Sequence, residues 1–246
     1  MIDTKRKNEG VIVTGAASGI GKAIADMYLA NGYDVIGLDI VHQKTNYPII
    51  ICDVSNESSV AAAFALISER FSAIRYLINC AGIFFSKHRE TIDKISLEEW
   101  NDTYKNNATS VMLVTKYAIP LLKICTGDKA IINISSDQVK YPRPKNVSYS
   151  VSKSAIENFS KACAVEFLKD RIRVNVVEAA SVRTNFIHKL SGTVSREIEI
   201  YHDENEKMPL GLIEPNDIAQ MAYFLGSIMA RKITGQIILI DSGLYV

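Results

Sequence analysis

Long apolar runs are missing from this chain. Nothing approaches the eighteen residues needed to span a bilayer, and Met1 to Gly10 lacks the apolar core of a secretion signal. Cysteine is scarce: Cys52, Cys80, Cys125 and Cys163 are scattered with no C-x-x-C pair, which argues against a zinc knuckle or a redox dithiol. The four histidines (His42, His88, His188 and His202) show no ligand spacing, so no metal is expected. Neither sign of charge is in excess. Twenty-eight basic against twenty-seven acidic side chains leave a formal +1, with no basic stripe beyond Lys5-Arg6-Lys7, and so no reason to expect nucleic acid or membrane as a partner. Repeats, low-complexity tracts and linker-like shifts of composition are absent as well. Asn-x-Ser/Thr triplets at Asn56, Asn101, Asn107, Asn133 and Asn146 read as coincidence without a secretion signal. The expectation is a cytoplasmic protein with reduced thiols.

What is present is a rhythm. Short β-branched runs at 10–14, 34–38, 48–52, 76–79, 130–134, 173–177 and 236–240 alternate with helical stretches at 20–31, 58–71, 97–122, 150–168 and 215–230. Seven apolar strands separated by helices imply an α/β fold, a parallel sheet covered on both faces. With 246 residues and no composition shift, the chain is expected to form a single domain over 1–246. Only nine residues separate Asp39 from Ile49, fewer than a helical crossover uses, so an extended loop is expected there. The polar, charged segment 185–208 lacks periodicity and is expected to cover a site.

The first strand runs into Thr14-Gly15-Ala-Ala-Ser18-Gly19-Ile20-Gly21, which opens the first helix. Glycines there permit a tight turn and close approach of backbone to a pyrophosphate at the helix N-terminus. A lone glycine triplet says little; this one lies between a strand and a helix, and Asp39, twenty-four residues after Gly15, ends the next strand. A carboxylate there accepts from an adenosine ribose diol and repels a 2′-phosphate. Ile40 and Val41 follow it, and Ser18 rather than a cation precedes Gly19, so the residues favour NAD over NADP.

Tyr149 and Lys153 stand four apart on a predicted helix and so share a face, with Ser136 thirteen residues upstream of the tyrosine. A phenol titrates near pH ~10, and an adjacent ammonium lowers that value. The pair reads as a proton-transfer device, although the spacing by itself usually marks a solvated helix face. Ser136 by composition is an ordinary strand-end serine.

In order along the chain, the Thr14 to Gly21 turn, Asp53-Val54, Asn79-Cys-Ala-Gly82, Trp100 with Asn107, Ser135-Ser136, Tyr149 with Lys153, Arg173-Val-Asn175, Thr184 and Asp241-Ser-Gly243 resemble the pattern of the short-chain dehydrogenase/reductase family. The resemblance covers nearly the whole chain. It implies a single doubly wound, Rossmann-type domain and hydride transfer between NAD(H) and a secondary alcohol or ketone. Tyr149 would be the general acid/base, with Lys153 depressing its pKa and holding the nicotinamide ribose. Ser136 would bind the substrate oxygen. Asn107 would kink its helix and anchor a relay water. Gly15, Ser18, Gly19, Ile20, Gly21 and Asp39 would hold the pyrophosphate and ribose. Asp53 and Val54 would flank adenine, and Asn79, Ala81 and Gly82 would line the adenosine ribose. Val182 and Thr184 would meet the carboxamide and phosphate. The helices bearing Asn107 and Tyr149 would form a dimer surface, commonly within a homotetramer; the stripe Ala155, Phe159, Ala162, Cys163 fits that surface or the sheet equally. Asn175 reads as a structural tie between strands.

Three departures stand out. Ala179-Ala180 replaces the family's Pro-Gly, Asp-Ser-Gly replaces its Asp-Gly-Gly at the end, and Glu178 stands where a small uncharged residue is usual. Glu178 reads either as a substrate contact or as a solvated loop carboxylate. Two loops, 83–91 and 137–147, should wall the substrate pocket; they carry Lys87, His88, Arg89, Lys140, Arg143 and Lys145, with Pro142 and Pro144 stiffening the second. These groups invite an anionic or polyhydroxylated small molecule such as a sugar, polyol or cyclic diol, against the alternative that they only aid solubility. Two other functions remain open: a reductase of carrier-bound 3-oxoacyl groups, and a non-catalytic NAD-binding regulator.

Overall fold

The computed structural model describes residues 9–84, 90–184 and 207–246. Seven strands, β1 (Glu9–Thr14), β2 (Asp34–Asp39), β3 (Ile49–Ile51), β4 (Ala73–Asn79), β5 (Lys129–Ser136), β6 (Ile172–Ala179) and β7 (Ile237–Ile240), form one parallel sheet in the order β3-β2-β1-β4-β5-β6-β7. This is the expected Rossmann-type α/β fold. Every residue of β5 and β6 is buried, which is why those segments read as continuous apolar runs instead of alternating ones.

Helices α1 (Gly19–Ala30) and α6 (Pro215–Gly226) pack on one face, where Ile24, Ala25 and Tyr28 meet Ile218, Ala222 and Leu225. The other face is covered by α2 (Glu57–Arg70), α4 (Ser110–Ile124) and α5 (Val147–Glu166), through Val60, Ile67, Leu113, Leu122, Cys163 and Ala164. Strand order reverses between β1 and β4, so their carboxyl ends diverge and leave a crevice, where ligands of open α/β sheets sit. Thr14 Oγ1 pins it by accepting from the backbone N–H groups of Cys80 (3.0 Å) and Ala81 (2.9 Å). Among the described residues, no helix is long and apolar enough to cross a membrane.

The stretch predicted as one helix over 97–122 is three pieces: α3 (Leu97–Tyr104), a π-helical turn (Lys105–Thr109) and α4. The turn contains Asn107, whose side chain reaches out to the backbone of Ile83; such π-bulges are the usual way a helix accommodates an inserted residue at a site. The helix predicted over 215–230 stops at Gly226, and Ile228–Ala230 is a separate 3₁₀ turn. Packing explains the stop. A Cβ at Gly226 would lie 2.0 Å from the Tyr28 hydroxyl, and the Arg173 guanidinium takes the carbonyls of Leu225, Gly226 and Ser227. The connection 40–48 contains no helix, as its length required.

Asn175 ties β6 to the approach of β7, donating to the Ile233 carbonyl (2.9 Å) and accepting from the Gln236 N–H (3.0 Å). Ala180 continues the ladder with its N–H on the Ile240 carbonyl at 3.0 Å, so replacing Pro-Gly by Ala179-Ala180 leaves strand pairing intact. Ser242, by contrast, sits at φ 56°, a left-handed conformation that glycine adopts without cost; its hydroxyl donates to the Gly211 carbonyl at 2.5 Å, a bond that glycine would forgo.

Arg173 is 7% exposed and also pairs with Asp128, Nη2 to Oδ2 at 2.8 Å. Arg173→Leu strands that carboxylate and the ending carbonyls of α6. Expected is a loss of about 3 kcal/mol, seen as a lower denaturation midpoint; an unchanged midpoint would show the ion pair to be dispensable.

Candidate active site

Gly15 (φ 68°) and Gly19 (φ 55°) take left-handed conformations between β1 and α1, and a Cβ on Gly21 would lie 2.1 Å from the Gly15 carbonyl oxygen. That contact makes the turn close onto its helix. Helix α1 carries no acidic residue in its first turn and no side-chain cap at Ser18, so its N-terminal N–H groups face the crevice undischarged. Asp39 lies across the turn: its Oδ2 accepts from the Ala17 N–H (2.9 Å) and its Oδ1 from the Val41 N–H (3.2 Å). Thr184 reaches the same turn from the far side, its Cγ2 being 3.5 Å from where a Gly19 Cβ would stand.

A cleft of about 510 Å³ runs from this turn along the ends of β4, β5 and β6. Its lining includes Gly15, Ser18, Gly19, Ile20, Gly21, Asp39, Asp53, Val54, Ala81, Gly82, Ser136, Tyr149, Lys153, Val182 and Thr184, so these predicted residues, scattered over the sequence, meet in one place. Asn79 and Asn107 do not line it. Asn79 is 2% exposed and donates to Asn133 Oδ1 (2.8 Å) and Thr115 Oγ1 (3.3 Å), joining β4 to β5 and α4 beneath the floor. Its Nδ2 is thus committed inside the sheet, while its Oδ1 has no hydrogen-bond partner.

Asn107, fully buried, has both side-chain polar atoms bonded. Its Oδ1 accepts from the Ile83 N–H (2.7 Å), and its Nδ2 donates to the Ile83 carbonyl (3.0 Å) and Ser152 Oγ (3.0 Å). Ser152 in turn donates to the Tyr149 carbonyl at 2.7 Å. The side chain therefore ties the segment after β4 to the turn of α5 that carries the tyrosine.

Tyr149 projects from α5 with Phe84 edge-on to its ring, centroids 4.8 Å apart. Lys153, one turn on, donates its Nζ to the Ile134 carbonyl at 3.1 Å and stands 5.7 Å from the centre of the Tyr149 ring. Burial pushes the phenol up to about 12, against the opposing effect of the neighbouring Ser136 hydroxyl; the Asp137 charge raises it further and Arg143 lowers it. Burial also pushes the Lys153 ammonium down to about 8. Burial is the largest influence on the phenol, and the ammonium lies against its ring, bonded to a backbone carbonyl.

Ser136 ends β5. Its hydroxyl donates to Asp137 Oδ1 (3.0 Å) and accepts from the Gln138 N–H (3.3 Å). Asp137, 1% exposed, also takes Arg143 Nη2 (3.0 Å) and the Tyr245 hydroxyl (2.6 Å) on Oδ2. Asp137, Gln138, Phe84 and Cys80 line the cleft without having been singled out as site residues in the sequence. The only signal for Asp137 was its place beside Ser136; its pairing with Arg143 and Tyr245 required the fold. Lys140 of the same loop turns away to Glu178, while Lys87, His88 and Arg89 lie outside the described residues, as do residues 185–206 of the predicted cover. The Ala155–Cys163 stripe splits: Cys163 is in the core, whereas Ala162 is exposed.

The family described as enoyl-(acyl carrier protein) reductase matches residues 15–245. The chain is 32% identical over 245 residues to the 2,5-dichloro-2,5-cyclohexadiene-1,4-diol dehydrogenase of Sphingobium indicum, covering 94% of each. Among solved structures it resembles the ligand-free aldohexose dehydrogenase of Thermoplasma acidophilum (TM-score 0.87, 31% identity, 97% of this chain and 94% of that one). It also resembles a 3-ketoacyl-(acyl-carrier-protein) reductase of Brucella melitensis complexed with NADH (TM-score 0.85, 25% identity, 97% and 98% covered).

Because Asn107 acts from behind the cleft, Asn107→Ala leaves the Ile83 N–H and carbonyl without their partner and costs about 2–3 kcal/mol. The expected result is a lower midpoint of thermal unfolding together with faster amide exchange at Ile83; unchanged exchange there would show that the tether is not formed.

Proposed function

The chain belongs to the short-chain dehydrogenase/reductase family, and on that premise we propose that it is an NAD-dependent dehydrogenase of a neutral, hydroxylated small molecule such as a sugar, polyol or cyclic diol. As a member of the family it is an oxidoreductase acting on alcohols or ketones. The observation that carries this reading is the company kept at the two ends of the cleft: the Asp39 carboxylate beside the glycine turn, and Ser136, Tyr149 and Lys153 together at the other end.

The choice of NAD rests on Asp39. Its carboxylate is held over the turn by the Ala17 N–H, and the residues after it, Ile40 and Val41, add apolar lining instead of a cation. A 2′-phosphate would meet negative charge there, with no cation beside Asp39 among the described residues of the turn and strand end, whereas ribose hydroxyls would find an acceptor. Asp53, whose Oδ1 is already taken by the Ser55 N–H and hydroxyl, would flank the adenine edge with Val54.

When bound, an oxidised nicotinamide supplies the hydride acceptor and a positive charge. Tyr149 takes the proton of the alcohol, or gives one to a ketone, at its hydroxyl oxygen. Ser136 stands beside it to hold the substrate oxygen. Lys153, its Nζ on the Ile134 carbonyl, would hold the nicotinamide ribose. With the phenol near 12 the residue rests as an acid at neutral pH. Ketone reduction therefore starts from the protonated resting form, and alcohol oxidation gains as pH rises and more of the phenol ionises.

Substrate class follows from the charge balance at the pocket wall. Among the described residues of the loop after Ser136, Arg143 faces the cleft already paired with Asp137 and Lys140 is committed to Glu178, so neither is left over for an anion. That balance suits hydroxyl groups better than an anion. It narrows the sequence expectation toward neutral diols and sugars, the substrates that the Sphingobium and Thermoplasma relatives are named for. A reductase of carrier-bound 3-oxoacyl groups is the second reading, favoured by the Brucella neighbour; a purely regulatory role is disfavoured because both Tyr149 and Lys153 are present. Exposed Tyr104, Met112 and Val151 on the helices that carry Asn107 and Tyr149 fit the proposal of a homo-oligomer.

Tyr149→Phe is expected to lower kcat by about 10³-fold or more while NAD affinity, read by fluorescence titration, stays within about twofold; retained turnover overturns the acid/base role. In the wild-type enzyme the oxidation rate should climb from neutral toward alkaline pH. Titration with NAD and NADP should favour NAD by about tenfold or more; preference for NADP would sink the reading of Asp39, and turnover confined to apolar ketones the reading of the substrate.

A further inference from the structure

Behind the tyrosine and lysine lies a pair of carboxyl groups that the reaction does not use. Glu178 on β6 is fully buried. Its Oε2 receives Lys140 Nζ at 2.6 Å, and its Oε1 has no hydrogen-bond partner. Facing it from α5 is Glu157, 7% exposed, one turn beyond Lys153 and within hydrogen-bonding reach of Glu178. One oxygen of Glu157, Oε1, accepts from Ser135 Oγ at 2.8 Å. Ser135 and Glu178 are register partners on neighbouring strands, which is why both side chains point to the same helix. Glu178 is thus neither a substrate contact nor a solvated loop carboxylate; it does not line the cleft.

Two carboxylates this close, facing each other away from water, repel, and an orphaned acceptor in such a place is destabilising. One proton resolves both problems. Placed on Glu157, it supplies the donor that Glu178 Oε1 lacks and leaves a single negative charge for Lys140 to balance. We propose that Glu157 and Glu178 hold one proton between them and act as positioning residues, the shared proton locking α5, β6 and, through Lys140, the loop after Ser136 around Tyr149 and Lys153. The locking of the site rests on the reading of Tyr149 and Lys153 given above; the shared proton does not.

Electrostatics agree with the geometry. Burial, opposed by the Ser135 hydrogen bond and reinforced by Glu178, pushes the Glu157 carboxyl up to about 7. The other charged or titratable groups facing the pair are Lys140, Tyr141 beside it, and Lys153. Because the folded-state value lies above the ~4.3 of an unfolded glutamate, the proton stabilises the fold fully below about pH 4.3. That contribution is lost as pH rises through about 7.

Glu157→Gln tests this. Its amide accepts from Ser135 and donates to Glu178 at every pH. Wild-type thermal stability should fall between about pH 5 and pH 8, and the variant should show a flatter dependence, with Glu157→Ala unable to substitute because it supplies no donor. Infrared spectra of the wild type should contain a protonated-carboxyl stretch near pH 6 that disappears by about pH 9 and is missing from Glu157→Gln. The pH profile of kcat/KM should carry an inflection near 7 that Glu157→Gln lacks, while the alkaline rise remains. Parallel stability curves for wild type and Glu157→Gln, or a wild-type spectrum without a protonated carboxyl, overturn the shared proton. A stable variant with the infrared difference but an unchanged kcat/KM profile overturns the positioning role alone. If Glu157→Gln does not fold, the wild-type infrared titration decides by itself. An enzyme inactive with NAD would refute the functional reading while leaving the infrared and stability results standing.

Discussion

The Lys153 ammonium lies buried beneath the cleft with its Nζ on the carbonyl oxygen of Ile134, and the arrangement around it depends on keeping that charge satisfied away from water. Helix α5 meets the sheet through Ser152, Lys153, Glu157 and Ser160 as well as through apolar side chains. Each of these polar groups needs a partner across the interface. Ser160 accepts from Asn133, Ser152 from Asn107, and Glu157 from Ser135. A helix docked by apolar side chains alone tolerates small slides; one docked by directed hydrogen bonds has a single seating. Tyr149, on the same helix, inherits that seating.

The same burial that fixes the geometry also sets the chemistry. Removing water raises the phenol to about 12 and lowers the ammonium to about 8, so proton transfer from one to the other is disfavoured in the protein alone. Charges already present near the site shift this balance in opposite directions. Asp137 raises the phenol and Arg143 lowers it, and the two are bonded to each other. The ion pair holds the Ser136 end of the cleft without committing the pocket to either sign. Desolvation, rather than any one neighbouring charge, is the dominant influence on both groups.

Much of this was legible before folding. The strand–glycine turn–helix unit and the acid after the second strand are local in sequence, and their chemistry depends on backbone geometry that glycine spacing announces: the 2.1 Å approach at Gly21 is a requirement on composition. Tyr149 and Lys153 share one helix, so their proximity needed only the helical period. Polar residues whose partners are remote were harder. Asn79 and Asn107 carry the family's pattern, yet their side chains bond within the protein and do not line the cleft. Glu178 was misread because strand burial is decided by which helix covers it, and the covering residue, Glu157, is twenty-one positions away. Helix interruption at Lys105–Thr109 left no mark in the periodicity; only the resemblance, which implied a kink at Asn107, pointed to it, and the side chain there makes its bonds to Ile83.

The sequence by itself determined the alternation of strands and helices, the position of the glycine turn and the identity of the groups able to move a proton, because each of these follows from local periodicity or from residue chemistry. Tertiary structure alone decided which polar groups meet. It brought Glu157 against Glu178, Asp137 against Arg143 and Tyr245, and the Lys153 ammonium against a carbonyl instead of the phenol oxygen. The physical reason is desolvation: how strongly a buried charge is perturbed depends on every element packed around it, and those elements come from distant parts of the chain.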